Sequence, residues 1–162
     1  MSFDPRFPPS NASTYLKVAC SCFISLADHD FEANHTFLTD DFAWYGRPKS
    51  AGCPEKADEA TLRGMMEMLP AVFEKGAMKY TVHNVYEGKA EDGAFVLTIL
   101  TETNCVSKHG TPWHQEYAVI IEFVGPAAEP KIRVFREFQD SKSIVDFGIA
   151  EETKRKELAA NA

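Results

Sequence analysis

The part of the chain that most constrains the fold is residues 113–147. Two long apolar runs, Pro112–Val124 and Lys131–Gln139, flank the turn segment GPAAEP, and a short helical segment follows them. This pattern predicts two antiparallel strands joined by a short turn. The second run ends in the carboxylates Glu137 and Asp140. A carboxylate in apolar surroundings has a shifted pKa and can transfer protons near neutral pH.

The remaining sequence predicts helices first and further strands afterwards. Residues 1–12 form an extended, proline-containing arm, and an apolar stripe of period 3.6 predicts a helix from Ser13 to near His29. Asp58 is suited to begin another helix, which Pro70 kinks or restarts and Gly76 ends. We predict these other segments: a helix at 31–38, a strand at 42–45, a loop at 49–56, and strands at 78–87 and 94–106.

The order of these elements predicts an α+β fold. Turn residues between the last four strands favour an antiparallel meander, and no βαβ alternation is present. The length of 162 residues is typical of one domain with a real core. We expect a single domain at residues 13–148, with the arm before it and a charged helical tail at 149–162 behind it.

Composition excludes several classes of partner. The net charge of −7 argues against nucleic acid, and no run is apolar and long enough to span a bilayer. The N-terminus lacks the apolar core of a signal peptide, so we expect a cytoplasmic protein. We interpret the four cysteines as reduced thiols, because no CxxC pair occurs among Cys20, Cys22, Cys53 and Cys105.

The chain resembles a known family in the order of its motifs. An amphipathic N-terminal helix precedes the segment WYGRP (residues 44–48), then a second helix and four strands that close on REFQDSKSIVDF. This order resembles the fungal-type SnoaL-like branch of the NTF2-like superfamily, to which ketosteroid isomerase, limonene-epoxide hydrolase and scytalone dehydratase also belong. The resemblance implies an NTF2-like cone, with N-terminal helices on a curved antiparallel sheet, a small hydrophobic substrate and a homodimer.

The last two strands carry the first group of site candidates. Alternation places Trp113, Gln115 and Tyr117 on one face of their strand, as a cavity wall or simply as core. On the next strand Arg133, Phe135, Glu137 and Gln139 share a face, although a one-residue slip would exchange the two faces. By the resemblance, Glu137 points into the cavity, with Asp140 as second choice. Asp140 is well suited to cap the helix that follows it, and the alternative for Glu137 is a cross-strand ion pair with Arg133 or Arg136.

Other candidates lie earlier in the chain. Trp44 and Tyr45 precede Arg47, and a guanidinium near a buried carboxylate would keep it ionised and polarise a substrate oxygen. The resemblance to scytalone dehydratase would make His83 an acid–base group, but the family's second histidine is not matched, since His114 is displaced by about one position, and we favour a structural histidine. We assign Trp113, Trp44, Tyr45, His83, Phe135, Met65 and Asp140 to substrate binding, and Glu137, Arg47 and Tyr117 to catalysis.

The resulting functional hypothesis is a cofactor-independent isomerase or cyclase. It would rearrange a small, mostly apolar natural-product intermediate by acid–base chemistry. The alternatives are a dehydratase of the scytalone-dehydratase type and a non-catalytic ligand-binding or assembly module. No histidine, cysteine or carboxylate spacing in the sequence is typical of a metal site, so we expect neither a metal nor a cofactor.

Overall fold

The computed structural model describes residues 2–52 and 54–161. Five α-helices and five strands follow one another along the described residues, and a short 3₁₀ helix, Lys49–Ala51, lies in the segment predicted as a loop. In order they are α1 (Thr14–Ala27), α2 (Phe31–His35), β1 (Leu38–Arg47), α3 (Glu59–Met66), α4 (Leu69–Val72), β2 (Lys79–Lys89), β3 (Phe95–Val106), β4 (Pro112–Val124), β5 (Lys131–Gln139) and α5 (Ser141–Ala160). The α+β class is therefore confirmed.

All five strands form one open sheet in the order β1-β5-β4-β3-β2. The last four strands form the predicted antiparallel meander. The strand predicted at residues 42–45 is longer than expected, and it pairs in parallel with β5 as the edge of the sheet. The sheet is therefore mixed, because β1 is parallel to β5 whereas the other neighbouring strands are antiparallel. The chain passes through α3 and α4 between β1 and the meander.

A bulge changes the predicted faces of β5. Phe123 of β4 pairs with Ile132, and Glu122 pairs with Val134, so Arg133 is the extra residue between them. Ile132 and Phe135 therefore both face the core. The prediction that Arg133 shares a face with Phe135 is wrong, because an extra residue in a strand reverses the alternation beyond it.

The core lies between α1 and the inner face of the sheet, defined here as the face packed on the helices. Ser13 caps α1 by accepting a hydrogen bond from Leu16 N at 3.1 Å. The buried side chains of α1 pack against strand residues that alternate along β3 and β4. They include Leu16, Ala19, Cys20, Phe23, Leu97, Ile99, Val119, Ile121 and Phe123. The period of 3.6 residues in α1 and of two in the strands makes these two apolar surfaces complementary.

The second helical region begins at its predicted cap and breaks before its proline. The Asp58 carboxylate accepts a hydrogen bond from Thr61 N at 2.8 Å. The helix ends at Met66 and restarts at Leu69 with Pro70 in its first turn, where a missing N–H costs nothing. Gly76 has a φ of 71°, which suits a residue without a Cβ, although it lies beyond the end of α4.

The last helix, α5, is continuous through position 149, the predicted boundary between the domain and the tail. Asp140 caps it, with one carboxylate oxygen accepting from Lys142 N and the other from Ser143 Oγ. Further along, Glu151 anchors α5 to the β3–β4 turn. Its two oxygens contact Ser107 Oγ at 2.6 Å and His109 Nδ1 at 2.7 Å.

The N-terminal arm contacts the edge of the sheet at one point. Phe3 and Val82 exchange two backbone hydrogen bonds of 2.9 and 2.8 Å. This bridge covers part of the β2 edge, where unpaired backbone groups would otherwise be open to other chains. Among residues 2–52 and 54–161, no helix is both long and apolar enough to cross a membrane.

The cysteine thiols that the structure describes are unpaired and unsuited to nucleophilic chemistry. Burial raises the pKa of Cys20 and of Cys22 to about 12 and that of Cys105 to about 11. A thiol must lose its proton to attack a substrate or bind a metal, so a raised pKa keeps these groups inert. Cys53, within the predicted loop at 49–56, lies outside the described residues.

Candidate functional site

Glu137 is the acidic group on the inner face of the sheet near the end of β5. Its Oε2 accepts a hydrogen bond from Trp44 Nε1 at 3.1 Å. Trp44 is 4% exposed, whereas Glu137 remains partly accessible to solvent. Burial raises the pKa of Glu137 from 4.5 to about 7, and the hydrogen bond from Trp44 opposes this rise only in part. A carboxylate with this pKa exists in both protonation states at neutral pH.

Two tyrosines lie near this carboxylate. Burial, and secondly the charge of Glu137, raise the pKa of Tyr80 and of Tyr117 well above the ordinary tyrosine value. The Tyr117 hydroxyl shares a hydrogen bond of 3.2 Å with Thr103 Oγ1. The Tyr80 hydroxyl has no hydrogen-bond partner among the described residues. Both phenols therefore remain protonated, and that of Tyr80 is free to donate.

An aromatic cluster adjoins these groups on the side of α5. Trp113 Nε1 donates to Thr103 Oγ1 at 2.9 Å, so Thr103 links Trp113 to Tyr117. The Trp113 ring packs edge-on to Phe147 of α5, with centroids 4.8 Å apart, and Phe73 lies beside both rings. We call Trp44, Tyr80, Thr103, Tyr117 and Glu137 the inner polar cluster. Since Tyr80, Tyr117 and Glu137 are only partly buried, solvent reaches it.

Arg47 does not contact Glu137, so the predicted pair is absent. In the β1–β5 ladder Gly46 lies opposite Glu137, and Arg47 lies one residue further along. Side chains alternate across a strand, so Arg47 is on the outer face. There its guanidinium lies 5.8 Å from the Tyr45 ring centroid and donates to the Glu55 carbonyl oxygen. Trp44, on the inner face, is the residue of β1 that contacts Glu137, the role that was predicted for Arg47.

Tyr45 is likewise on the outer face and not in the predicted substrate site. Arg136 lies over its ring at 5.4 Å and pairs with Glu122. Arg133 also pairs with Glu122, at 3.4 Å. Neither arginine forms the cross-strand ion pair with Glu137 that was the alternative interpretation of this residue, because both point away from the inner face.

His83 and Asp140 also lie away from the inner polar cluster. The register shift between Val82 and Asn84 leaves His83 at a bulge, where its ring contacts Ser2 Oγ at 3.1 Å and Glu102 at 3.3 Å. Asp140 is the exposed cap of α5, and the backbone N–H of Lys142 is the main cause of its lowered pKa. The expected substrate contacts of His83 and Asp140 are therefore not formed on the inner face.

The other predicted substrate-binding residues face inward. Phe135 is 8% exposed and packs edge-on to Phe23, with centroids 6.3 Å apart. Met65 packs against the core from α3. Tyr80 and Thr103 were not predicted as site residues. The alternation Met78, Tyr80, Val82 would have placed Tyr80 inward. Only the folded sheet, however, brings the Tyr80 hydroxyl close enough to Glu137 for the charge of Glu137 to raise the pKa of Tyr80.

An open groove of about 500 Å³ lies on the outer face of the sheet. Leu100, Ala118 and Phe138 contribute apolar surface to it, and His83, Glu116 and Asp140 contribute polar groups. Leu100 and Phe138 are 37% and 44% exposed. Tyr117 and Thr101 also line this groove but Glu137 does not, so the groove adjoins the inner polar cluster at Tyr117 and is not the cavity expected around Glu137.

The fold also brings together one set of side chains that sequence spacing does not reveal. The carboxylates of Glu102 and Glu116 and the ring of His114 have ligand atoms within 4.8 Å of one another on the outer face. Glu102 and Glu116 are directly opposite in the β3–β4 ladder. His114 and Glu116 are exposed, and exposed acidic groups are common without an ion, so we keep the expectation of a metal-free protein.

We predict that metal chelation leaves the protein unchanged. Prolonged EDTA treatment and gel filtration should alter neither the melting temperature nor any activity, because the inner polar cluster contains no histidine or second carboxylate. Differential scanning fluorimetry with Zn²⁺ and Mn²⁺ provides the check. A rise in melting temperature with either ion, absent in Glu116→Gln, would show that the outer set binds metal.

Comparisons with known proteins identify the fold. Neither a family model nor a curated protein matches the chain. Among solved structures, it is similar to the CaMKII hub of S. rosetta, with a TM-score of 0.62 and 21% identity over 83% of this chain and 100% of that one. It is also similar to the BvnE pinacolase of Penicillium brevicompactum, with a TM-score of 0.61 and 18% identity over 88% and 96% of the two chains.

A third similar structure belongs to a protein whose fold is named but whose function is unknown. An NTF2-like protein of unknown function from Burkholderia pseudomallei has a TM-score of 0.65 and 11% identity, over 84% of this chain and 98% of that one. These identities are low, so the similarity concerns the backbone. The chain has the NTF2-like fold, which is found both in an enzyme and in a hub domain.

Proposed function

We propose that this NTF2-like chain is a cofactor-independent isomerase or cyclase that acts on a small, mostly apolar secondary-metabolite intermediate in the cytoplasm. The observation that carries the proposal is Glu137, a partly accessible carboxylate with a pKa of about 7 that lies on the inner face beside uncharged polar and apolar side chains. A group with a pKa near the working pH is an efficient general acid or base. The similarity to a pinacolase supports an enzyme on this backbone.

In this proposal Glu137 moves one proton within the substrate. The ionised carboxylate removes a proton from a carbon or hydroxyl of the substrate and later returns it to a different atom. The product then has the formula of the substrate, and no co-reactant is consumed. Tyr80, whose hydroxyl has no partner among the described residues, donates a hydrogen bond to the substrate oxygen that gains negative charge. Tyr117 and Trp113 line the same region.

The dehydratase alternative depended on His83 as an acid–base group, and the position of His83 does not support this role. His83 is bonded to Glu102 and Ser2 at the edge of the sheet and does not reach Glu137. A dehydratase would therefore have to use Glu137 alone for both proton transfers. Internal rearrangement requires only one shuttling group, so the isomerase or cyclase is the simpler assignment for this set of residues.

The second candidate function is that of an assembly module. The similarity to a hub domain supports it, as does the partly exposed apolar surface at Leu100 and Phe138 on the outer face. Exposed apolar surface of this kind is typical of an interface. Assembly through the outer face and chemistry on the inner face are compatible, and we propose a homodimer formed through the outer face.

The homodimer gives a direct prediction. Phe138→Glu should convert the protein to a monomer of 18.1 kDa, because it replaces one of the apolar residues that line the groove by a charged one. Phe7→Glu is the matched control, since Phe7 is 76% exposed on the N-terminal arm, away from the groove. Light scattering at micromolar concentration measures both. A wild-type protein that is already monomeric would contradict the proposal.

The function itself is tested by comparing wild type with Glu137→Gln on mixtures of apolar metabolites, followed by mass spectrometry. An isomerase or cyclase forms a product of unchanged mass, whereas a dehydratase forms one that has lost water. We expect unchanged mass, formed by wild type alone. A compound converted equally by both proteins would contradict the role of Glu137, and a water-loss product would favour the dehydratase.

A further inference from the structure

Gln115 carries a buried hydrogen-bond acceptor that the protein does not use. Its side chain is 0% exposed, and its Oε1 has no hydrogen-bond partner among the described residues. The amide nitrogen Nε2 donates to the carbonyl oxygen of Glu116 at 3.0 Å. Rotating the amide would place Oε1 against that carbonyl oxygen, so the contact determines which end is unpaired.

Gln115 lies beside the inner polar cluster. It follows Trp113 and precedes Tyr117 on the inner face of β4, and it is directly opposite Thr103 in the ladder with β3. Thr103 binds both Trp113 Nε1 and Tyr117 OH. The immediate neighbours of Gln115 are thus the residues that connect the aromatic cluster to the region of Glu137.

An unpaired buried acceptor reduces the stability of a folded protein, because the group gives up its bonds to water and receives nothing in return. Most buried polar atoms are paired, and an exception points to a fixed water, to strain or to a ligand. Other buried polar groups on this face are paired: Thr101 Oγ1, for example, donates to Thr81 O at 2.9 Å. Among the described residues, His29 Nε2 and Thr111 Oγ1 are also buried and unpaired, but neither residue lies on a strand, whereas Gln115 lies on the inner face of β4.

We propose that Gln115 Oε1 binds a hydrogen-bond donor of the ligand, so that the site selects apolar molecules carrying a hydroxyl or N–H group. This inference rests on the proposed function, because it assigns the ligand to the region of Glu137. It narrows the substrate class from mostly apolar compounds to those with a donor beside the apolar skeleton. Sites built to pair a buried polar group discriminate strongly against analogues that lack the partner.

The test separates this role from a structural one by measuring stability and binding together. Gln115→Met keeps approximate size but removes the acceptor, so the ligand-free protein should melt about 2–5 °C higher than wild type. Thr101→Val, which removes a paired buried hydroxyl, is the matched control and should melt lower. If Gln115→Met melts lower instead, the amide is satisfied by a fixed water and the proposal is overturned.

Binding is measured by calorimetry with 2-naphthol and 2-methylnaphthalene, which have similar size and differ in the donor. Wild type should prefer 2-naphthol by about 10-fold, and Gln115→Met should lose this preference while Thr101→Val retains it. An equal preference in wild type and Gln115→Met would overturn the proposal. Neither measurement involves turnover, so failure here is distinct from failure of Glu137 as the proton-transfer group.

Discussion

Replacing Glu137 by glutamine is expected to lower turnover by roughly two to four orders of magnitude, the usual contribution of a positioned acid or base. Glutamine preserves the size of the side chain and an oxygen that can accept from Trp44 Nε1. What it removes is the ability to take and return a proton. Steady-state kinetics on the substrate identified by mass spectrometry measure this effect.

The pH dependence of the same reaction carries a further expectation. If Glu137 acts as a base, kcat/KM should rise with pH through an apparent pKa near 7, since the carboxylate must be ionised. Trp44→Phe removes the N–H that stabilises the ionised form, so the profile should move to higher pH. Glu116→Gln, a carboxylate change on the outer face, is the control. Near-wild-type turnover in Glu137→Gln would refute the assignment.

Stability provides a measurement of Glu137 that requires no substrate. Its folded pKa is raised above 4.5, so the folded state resists ionisation. The resulting cost is absent below pH 4.5, grows as pH rises, and is complete above pH 7. This cost in the free energy of folding is at most about 3 kcal/mol. Glu137→Gln should therefore gain stability relative to wild type at pH 8 and show little difference at pH 4.

Replacing Glu151 by alanine is expected to destabilise the protein by about 2–3 kcal/mol and to lower its melting temperature by about 5–10 °C. Glu151 is 9% exposed and receives hydrogen bonds from Ser107 and His109 in the β3–β4 turn. Alanine leaves both donors unpaired and releases the middle of α5 from the sheet. Thermal and urea denaturation measure the loss.

The effect of Glu151 should depend on pH in the opposite sense to that of Glu137. Burial alone would raise its pKa, but hydrogen bonds, that of Ser107 foremost, outweigh burial and lower it. The stabilisation is therefore present above the ordinary pKa of 4.5 and is lost as pH falls through the folded value. The control is Glu152→Ala, whose partners Arg155 and Lys156 are exposed, and its melting curve should match wild type. Equal curves for Glu151→Ala would contradict the anchor.

Several errors in the predicted site have a common physical origin. A one-residue change in strand register exchanges the two faces of a strand, and no local pattern in the sequence reports it. Arg47 and Tyr45 are adjacent to Trp44 and Gly46 in the chain, yet they lie on the opposite face from Glu137. His83 lies at a bulge in β2, and Arg133 is the extra residue of a bulge in β5. Each bulge shifts the strand register and changes the face on which the neighbouring side chains lie.

The sequence by itself determined the elements and their class. Hydrophobic periodicity, the caps Ser13, Asp58 and Asp140, and the turns between the last four strands all act over a few residues, so they can be read locally. Glu137 could be singled out in the same way, as a carboxylate at the end of an apolar strand.

The surroundings of Glu137 were decided only by the tertiary structure. Its pKa depends on how many protein atoms exclude water and on which donor reaches it, and that donor, Trp44, is 93 residues away in the chain. The free hydroxyl of Tyr80 and the unpaired oxygen of Gln115 likewise exist only once three strands are aligned. Burial and long-range pairing are properties of the assembled sheet, because no local segment contains the partners that create them.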